Sequence, residues 1–305
     1  MRITLSNSHL KAQIVGLGAE LVALQDEAGH DLLWDGEPTF WTGRSPLLFP
    51  IVGRLRDDRT LIEGRPYSMK QHGFARASTF DIVDAGTESC RLRLSASDET
   101  REQYPFDFRL DVTYRVDGAR LVFTASVFNL ENRAIPVSFG FHPALRWPLP
   151  YGGKREAHEI RFEKAEAASL HTLAEGLVGE ASRPSPLQGD RLPLHDGLFQ
   201  DGALVWSELK SRTVRYGVPG RRSLSVSFPD MPHLGIWTKP GAGYVCIEPW
   251  QGYADPVGFA GEFKDKPGIV MIPAGENRDF STEIIVDPPN SSNKRGPSQQ
   301  GDPAC

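Results

Sequence analysis

Apolar and polar residues alternate with a period of two along most of this chain. The alternation is clearest in RITLSN, AQIVGL, RLRLSAS, FRLDVTYRV, RLVFTASVFNL, SLSVSF and STEIIVD. Gly, Asn, Asp and Pro separate these segments. A period of two puts every second side chain on one face of a strand, so the pattern predicts antiparallel strands with one buried face.

Two segments bear on how the strands connect. FRLDVTYRV and RLVFTASVF flank Asp-Gly-Ala at Asp117–Ala119, and Asp-Gly between alternating runs predicts a β-hairpin. In KREAHEIRFEKAEAASLHTLAEGL, Ala and Glu favour a helix, but EIRFE alternates as a strand does. We expect strands there too.

The body of the chain shows no internal repeat and no linker-like stretch. Residues 1–287 are therefore predicted to form a single all-β domain, a large antiparallel sandwich. Residues 288–305, PPNSSNKRGPSQQGDPAC, contain almost no apolar side chain. That composition predicts a disordered C-terminal tail that takes no part in the chemistry.

Composition and charge narrow the class of protein. Among 305 residues there are 30 Gly and 24 Pro, which favours a turn-rich β fold, and the formal net charge of -5 argues against nucleic acid as a partner. The cysteines, Cys90, Cys246 and Cys305, are too widely spaced to suggest a disulfide framework or a zinc site. With no signal peptide and no membrane-spanning run in the sequence, we expect a cytoplasmic protein.

Four titratable or cationic residues stand among aromatic and apolar neighbours: Arg54, His72, His142 and Glu248. For His142 the alternatives are a packed core histidine and a proton-transfer group. Glu248, which we place at a strand end, follows Cys246 and Ile247, and a buried carboxylate needs a partner or a purpose. Arg54 could form an ion pair with Asp57 or Asp58, or could contact a polar ligand.

Tryptophans add a second candidate surface. An aromatic face can cover the C–H side of a sugar ring, while neighbouring polar groups bind its hydroxyls. Most of the tryptophans are expected to fill the core. Among Trp34, Trp41, Trp147, Trp237 and Trp250, we favour Trp237 and Trp250 as site residues.

Several motifs together resemble the aldose 1-epimerase, or galactose mutarotase, superfamily, and most of all its compact bacterial LacX-like branch. They are LLWDGEPTFWTGRSPLLFPIVGRLRDD, QHGFAR, GFHPAL, LGIWTKP and CIEPWQGYADPVGFAGEFKDKPGIVMIPAGE. The resemblance runs in the same order from about Ile3 to Val286. It implies a β-supersandwich with an open cleft that acts on a free aldose without a metal or an organic cofactor.

The resemblance also implies roles for single residues. His142 and Glu248 match the acid and base of the family, on opposite sides of the anomeric centre, and His72 and Arg54 match its substrate-binding histidine and arginine. Related sequences often carry an aspartate where this chain has Gly202, with Asp201 one position earlier. Asp201 is therefore the candidate residue for the contact with a substrate hydroxyl.

The predicted function is the interconversion of the α and β anomers of a free hexose by acid/base ring opening at C1. One alternative is a hexose-6-phosphate 1-epimerase, for which Arg44, Arg56, Arg76 and Arg146 are candidate phosphate ligands. Another is a sugar-binding or sensing domain without turnover. A glycoside hydrolase or a cupin-like metal site fits less well. A monomer and a homodimer are both compatible with the sequence.

Overall fold

The computed structural model of the protein describes residues 1–289, which form strands almost throughout. Helical structure consists of α1 (Asp98–Arg101) and 3-10 turns at Arg56–Asp58, Ala75–Ala77, Arg155–Ala157, Asp196–Phe199 and Phe263–Asp265. No helix in these residues has the length and apolar character to cross a membrane. The predicted all-β fold is confirmed. Of the predicted tail, residues 290–305 lie outside the described residues.

The strands of the described part are numbered in chain order. They are β1 (Arg2–Ser6), β2 (Leu10–Val15), β3 (Leu21–Asp26), β4 (Leu47–Leu48), β5 (Arg59–Ile62), β6 (Arg65–Ser68), β7 (Asp81–Ala85), β8 (Ser89–Ser95), β9 (Phe108–Asp117), β10 (Arg120–Asn129), β11 (Ile135–Val137), β12 (Phe139–Phe141), β13 (Ala144–Arg146), β14 (Glu159–Phe162), β15 (Leu170–Ala174), β16 (Leu177–Arg183), β17 (Arg191–Pro193), β18 (Leu204–Trp206), β19 (Thr213–Gly217), β20 (Ser223–Ser227), β21 (His233–Trp237), β22 (Tyr244–Gln251), β23 (Val270–Ile272) and β24 (Asn277–Asp287).

Two large antiparallel sheets make up the sandwich. The first has nine strands in the order β17-β14-β19-β20-β24-β10-β9-β8-β7. The second has six, in the order β18-β21-β22-β12-β4, with β13 also pairing with β22. A three-stranded sheet (β1-β2-β3) and the ribbons β5-β6, β11-β23 and β15-β16 lie outside these two sheets.

The hairpin predicted at Asp117–Ala119 is confirmed, because β9 and β10 pair from Asp117 opposite Arg120. Gly118 takes a positive φ of 55° in this tight turn, a conformation that glycine adopts at little cost. The ambiguous segment forms β14 and β15 and no α-helix, so the expectation of strands there is also confirmed.

Aromatic side chains join the two sheets across the core. Phe123 of the nine-stranded sheet stacks on Phe141 of the six-stranded sheet with ring centroids 4.4 Å apart. Phe139, also on the six-stranded sheet, stacks on Phe280 of the nine-stranded sheet at 5.3 Å. Such contacts bury large apolar surfaces and fix the inner face of the six-stranded sheet against its partner.

Strand β22 is buried on both of its faces. Val245 and Ile247 pack into the core between the sheets. The alternate side chains point to the opposite face of the six-stranded sheet, since successive residues of a strand face opposite ways. That outer face carries Tyr244, Cys246, Glu248 and Trp250. Glu248 lies in the middle of β22, so its predicted place at a strand end was wrong.

Candidate active site

His142 lies in a short break between β12 and β13, the two strands that pair with β22 on the same side. On one side of the break, Gly140 pairs with Trp250. On the other side, Ala144 pairs with Cys246, so the register is the same before and after the interruption. His142 stands at the centre of this break, where its backbone N–H takes no part in pairing with β22. On this register the residue opposite His142 is Glu248.

His142 and Glu248 are in direct contact. The His142 Nε2 atom lies 3.1 Å from Oε2 of Glu248, and the two side chains are 9% and 2% exposed. The backbone N–H of His142 donates to the carbonyl of Pro46 at 3.2 Å. The two side chains therefore lie side by side at the outer face of the six-stranded sheet.

Burial determines the protonation of this pair. It raises the pKa of Glu248 well above its usual range. Burial, assisted by the positive charge of Arg76, also lowers the pKa of His142 to about 3. Both shifts favour the neutral forms, so at neutral pH one proton lies in the contact between Glu248 Oε2 and His142 Nε2, and the other imidazole proton is on Nδ1. In this resting form Glu248 is the donor and His142 Nε2 the acceptor.

His72 offers a fixed N–H donor next to the pair. Its backbone has a positive φ of 69°, and its Nδ1 atom accepts a hydrogen bond from the backbone N–H of Gly53 at 3.1 Å. Burial lowers the pKa of His72 well below its usual value. The neutral ring therefore carries its proton on Nε2. The ring centroid lies 5.9 Å from that of His142.

Aromatic rings form the walls beside the pair. The Trp41 ring lies 5.0 Å from that of His142 and 5.8 Å from that of Trp237, measured between centroids. Trp250 lies across the neighbouring strands, where a Cβ added to Gly235 would come within 2.3 Å of its ring and one added to Gly140 within 2.7 Å. These two glycines therefore give the Trp250 indole the room it needs.

These side chains surround an open cavity of about 400 Å³. That volume is within the range of small-molecule sites. The residues that line it are Trp41, Pro46, Gly53, Gln71, His72, Arg76, His142, Leu173, Gly176, Val178, Ala203, Val205, Trp237, Glu248, Trp250, Tyr253 and Ala254. Within the described part, His142 Nδ1 is buried without a hydrogen-bond partner.

Comparisons with known proteins identify the family of this chain. The family model described as aldose 1-epimerase matches residues 1–284. The chain belongs to the aldose 1-epimerase family. The chromosomal LacX protein of Lactococcus lactis subsp. lactis is 31% identical over 299 residues, covering 94% of this chain and 99% of LacX.

Solved structures show the same relation for this member of the aldose 1-epimerase family. A galactose mutarotase related enzyme from Lactobacillus acidophilus superposes with a TM-score of 0.88 at 28% identity, covering 95% of this chain and 99% of that one. A galactose mutarotase-like protein from Lactobacillus casei also gives a TM-score of 0.88 at 28% identity, covering 94% and 100%. The resemblance inferred from the motifs is confirmed.

Five of the seven site residues predicted for this aldose 1-epimerase family member line the cavity: His72, His142, Trp237, Glu248 and Trp250. The predictions did not select Gln71, Arg76 and Trp41 as sugar-binding residues. Gln71 and Arg76 flank His72 in the QHGFAR motif, and that proximity was the available signal. Trp41 was one of several candidate tryptophans, and only the fold brings it against His142.

Arg54 is not among the residues that line the cavity. Its guanidinium donates to the carbonyl of Glu175 at 3.0 Å and lies 3.4 Å from Asp58. Of the alternatives that the sequence left open, the ion pair with Asp58 is therefore present. Glu175 is at the tip of the β15-β16 ribbon, which contributes Leu173 and Val178 to the cavity. Arg54 thus holds the tip of that ribbon.

The structure does not bring Asp201 to the cavity. Its side chain is 86% exposed, and its carboxylate lies 3.6 Å from Arg183. Gly202 has a positive φ of 94° and approaches Leu173, a cavity residue, because a Cβ added to it would lie 3.3 Å from the Leu173 side chain. An aspartate at position 202 would therefore be nearer the cavity than Asp201 is.

Proposed function

We propose that the protein is an aldose 1-epimerase that interconverts the α and β anomers of a free hexose. The observation that carries the proposal is the contact between His142 and Glu248, two buried groups at the cavity with one proton between them. Membership of the aldose 1-epimerase family supports the same reaction class. General acid/base catalysis needs such a matched donor and acceptor.

The pair can supply both proton transfers that ring opening needs, since one group can accept a proton while the other donates one. One group removes the proton from the C1 hydroxyl, while the other protonates the ring oxygen as the C1–O5 bond breaks. From the resting form, His142 takes the first proton and Glu248 gives the second. Closure on the other face of C1 reverses both transfers, so each group regains its starting state. No net proton enters or leaves.

The adjacency of the two groups is compatible with this chemistry. The C1 hydroxyl and the ring oxygen are bonded to the same carbon, so two groups in contact can serve both atoms. The Nε2 atom of His72 lies 3.2 Å from the side-chain amide of Gln71, and both side chains line the cavity, so the two together offer polar groups to sugar oxygens. Trp41, Trp237 and Trp250 offer aromatic faces to the C–H side of the ring.

The cavity lining bears on the phosphorylated alternative. Of the four arginines considered as phosphate ligands, Arg76 alone lines the described cavity. Its charge lowers the pKa of both His72 and His142, so it lies near the catalytic pair. Away from the pair, the wall consists largely of apolar side chains: Leu173, Val178, Ala203 and Val205. A sugar without a phosphate group fits this distribution better.

Polarimetry of freshly dissolved α-glucose, α-galactose and glucose 6-phosphate tests the proposal. We expect the protein to speed the approach to the equilibrium rotation for at least one free aldose, and by more than for glucose 6-phosphate. Faster turnover of glucose 6-phosphate would favour a hexose-6-phosphate 1-epimerase. Sugar binding in calorimetry without any acceleration would favour a binding domain.

The contact of Arg54 with the β15-β16 ribbon is tested with the variant Arg54→Met. Losing a charged hydrogen bond costs about 1.5 kcal/mol, so we expect kcat/KM to fall about tenfold as the ribbon tip loosens. Hydrogen exchange should accelerate in residues 170–183. Arg56→Met is the matched control, since the exposed Arg56 side chain lies 3.9 Å from Asp57 and does not reach the ribbon. Unchanged exchange with a large fall in activity would instead indicate that Arg54 contacts the substrate directly.

A further inference from the structure

A third potential ligand atom lies beside the catalytic pair. Cys246 is two positions before Glu248 on the same face of β22, and it is fully buried. One donor atom each from His142, Cys246 and Glu248 lies within 4.8 Å of the others. The spacing of the cysteines in the sequence gave no sign of this cluster, because His142 comes from another strand.

The donor set suits a zinc ion. Zinc is bound by imidazole nitrogen, thiolate sulfur and carboxylate oxygen, with ligand distances of about 2.0–2.3 Å. In a tetrahedral site, ligand atoms at these distances lie about 3–4 Å from one another, and His142 Nε2 is 3.1 Å from Glu248 Oε2. The Cys246 donor atom lies within 4.8 Å of the other two, so the cluster would contract by about 1 Å around the ion.

Charge and access also favour zinc. Zinc displaces the protons of the Cys246 thiol and the Glu248 carboxyl to solvent as it binds. The resulting thiolate and carboxylate together neutralise the divalent cation, and a neutral cluster avoids the cost of an uncompensated buried charge. His142 and Glu248 line the cavity, so an ion can enter from it, and a water molecule there can supply the fourth ligand.

The surroundings of His142 distinguish this cluster from a resident metal centre. A histidine that binds zinc usually donates its other ring N–H to a protein group. Within residues 1–289, His142 Nδ1 has no such partner. The site therefore lacks the second interaction that fixes a permanent ligand, which fits an ion that binds reversibly.

We infer that His142, Cys246 and Glu248 form a reversible zinc site, and that zinc bound there inhibits the protein. The ion would occupy the His142 and Glu248 atoms that exchange protons with the sugar. Inhibition rests on the proposed function, whereas zinc binding does not. Cys246 is needed for the metal but has no part in the proton transfers.

Binding is measured first, by competition between untagged, metal-free protein and a chromogenic zinc chelator. The experiment uses a Cys305→Ala background, so that a thiol outside the described residues does not contribute. We expect one zinc ion per chain. Cys246→Ala should weaken binding by at least about 100-fold, since even indirect supporting contacts of a metal site contribute 10–100-fold.

The matched control is Cys90→Ala, which removes the other buried free cysteine of the described chain, on β8. It should bind zinc as the parent does. Wild-type affinity in Cys246→Ala, or no zinc binding by the parent, would overturn the inference. These readouts do not depend on turnover, so they remain decisive even if no sugar proves to be a substrate.

The second part of the experiment measures mutarotation in the presence of zinc. Zinc should inhibit mutarotation by the parent and by Cys90→Ala, and excess EDTA should restore the full rate. Cys246→Ala should keep its mutarotation rate and lose most of its sensitivity to zinc. Equal inhibition of Cys246→Ala and the parent would show that zinc acts elsewhere and would refute the assignment.

Discussion

Glu248→Gln and His142→Asn are each expected to lower kcat for mutarotation by about a hundred- to ten-thousand-fold. Each substitution keeps the approximate shape of the side chain and removes one partner of the proton exchange. Because the two groups act as one pair, the double variant should be little worse than either single variant. Polarimetry with the best aldose measures the rates.

Stability separates loss of chemistry from loss of fold in these variants. The pKa of Glu248 is raised by burial, so ionisation of this carboxyl as pH rises opposes the folded state. The neutral amide of Glu248→Gln is therefore expected to keep or increase stability at neutral pH, as measured by urea unfolding. Glu102→Gln and His9→Asn, at exposed positions, are matched controls. Wild-type rates in both folded active-site variants would refute the assignment.

Lys266→Met is expected to destabilise the protein by about 3–5 kcal/mol, because it leaves a buried charge without its partner. Lys266 Nζ lies 2.9 Å from Asp255, and the two side chains are 0% and 2% exposed. Asp255 also accepts a hydrogen bond from the backbone N–H of Arg56 at 2.9 Å. The backbone carbonyl of Asp255 accepts a hydrogen bond from the backbone N–H of Val178, in the β15-β16 ribbon. Urea unfolding gives the free-energy difference.

An exposed ion pair provides the control for Lys266→Met. Lys70 lies 3.0 Å from Asp58, and its side chain is 85% exposed, so Lys70→Met should change stability by about 0–1 kcal/mol. Adding Asp255→Asn to Lys266→Met should recover much of the loss, since the amide oxygen still accepts from Arg56 and carries no charge. Equal effects of Lys266→Met and Lys70→Met would show that the buried pair is energetically unimportant.

Local sequence was sufficient for the class of fold. Alternation with a period of two is a property of a single strand, and Asp117-Gly118 sets its turn within a few residues, so the strands and the β9-β10 hairpin could be predicted. The motifs identified the family and named His72, His142 and Glu248. Arg54 and Asp201 could not be placed in this way, because a motif records residue identity and not the direction of a side chain.

Tertiary structure decided how the site is assembled. His142 meets Glu248 because the break between β12 and β13 keeps the register with β22, and pairing between segments so distant in sequence has no local signal. The same register brings Cys246 to the pair and lays Trp250 over Gly140 and Gly235. Burial then favours the neutral forms of both groups, because desolvation depends on what the whole fold packs around each group.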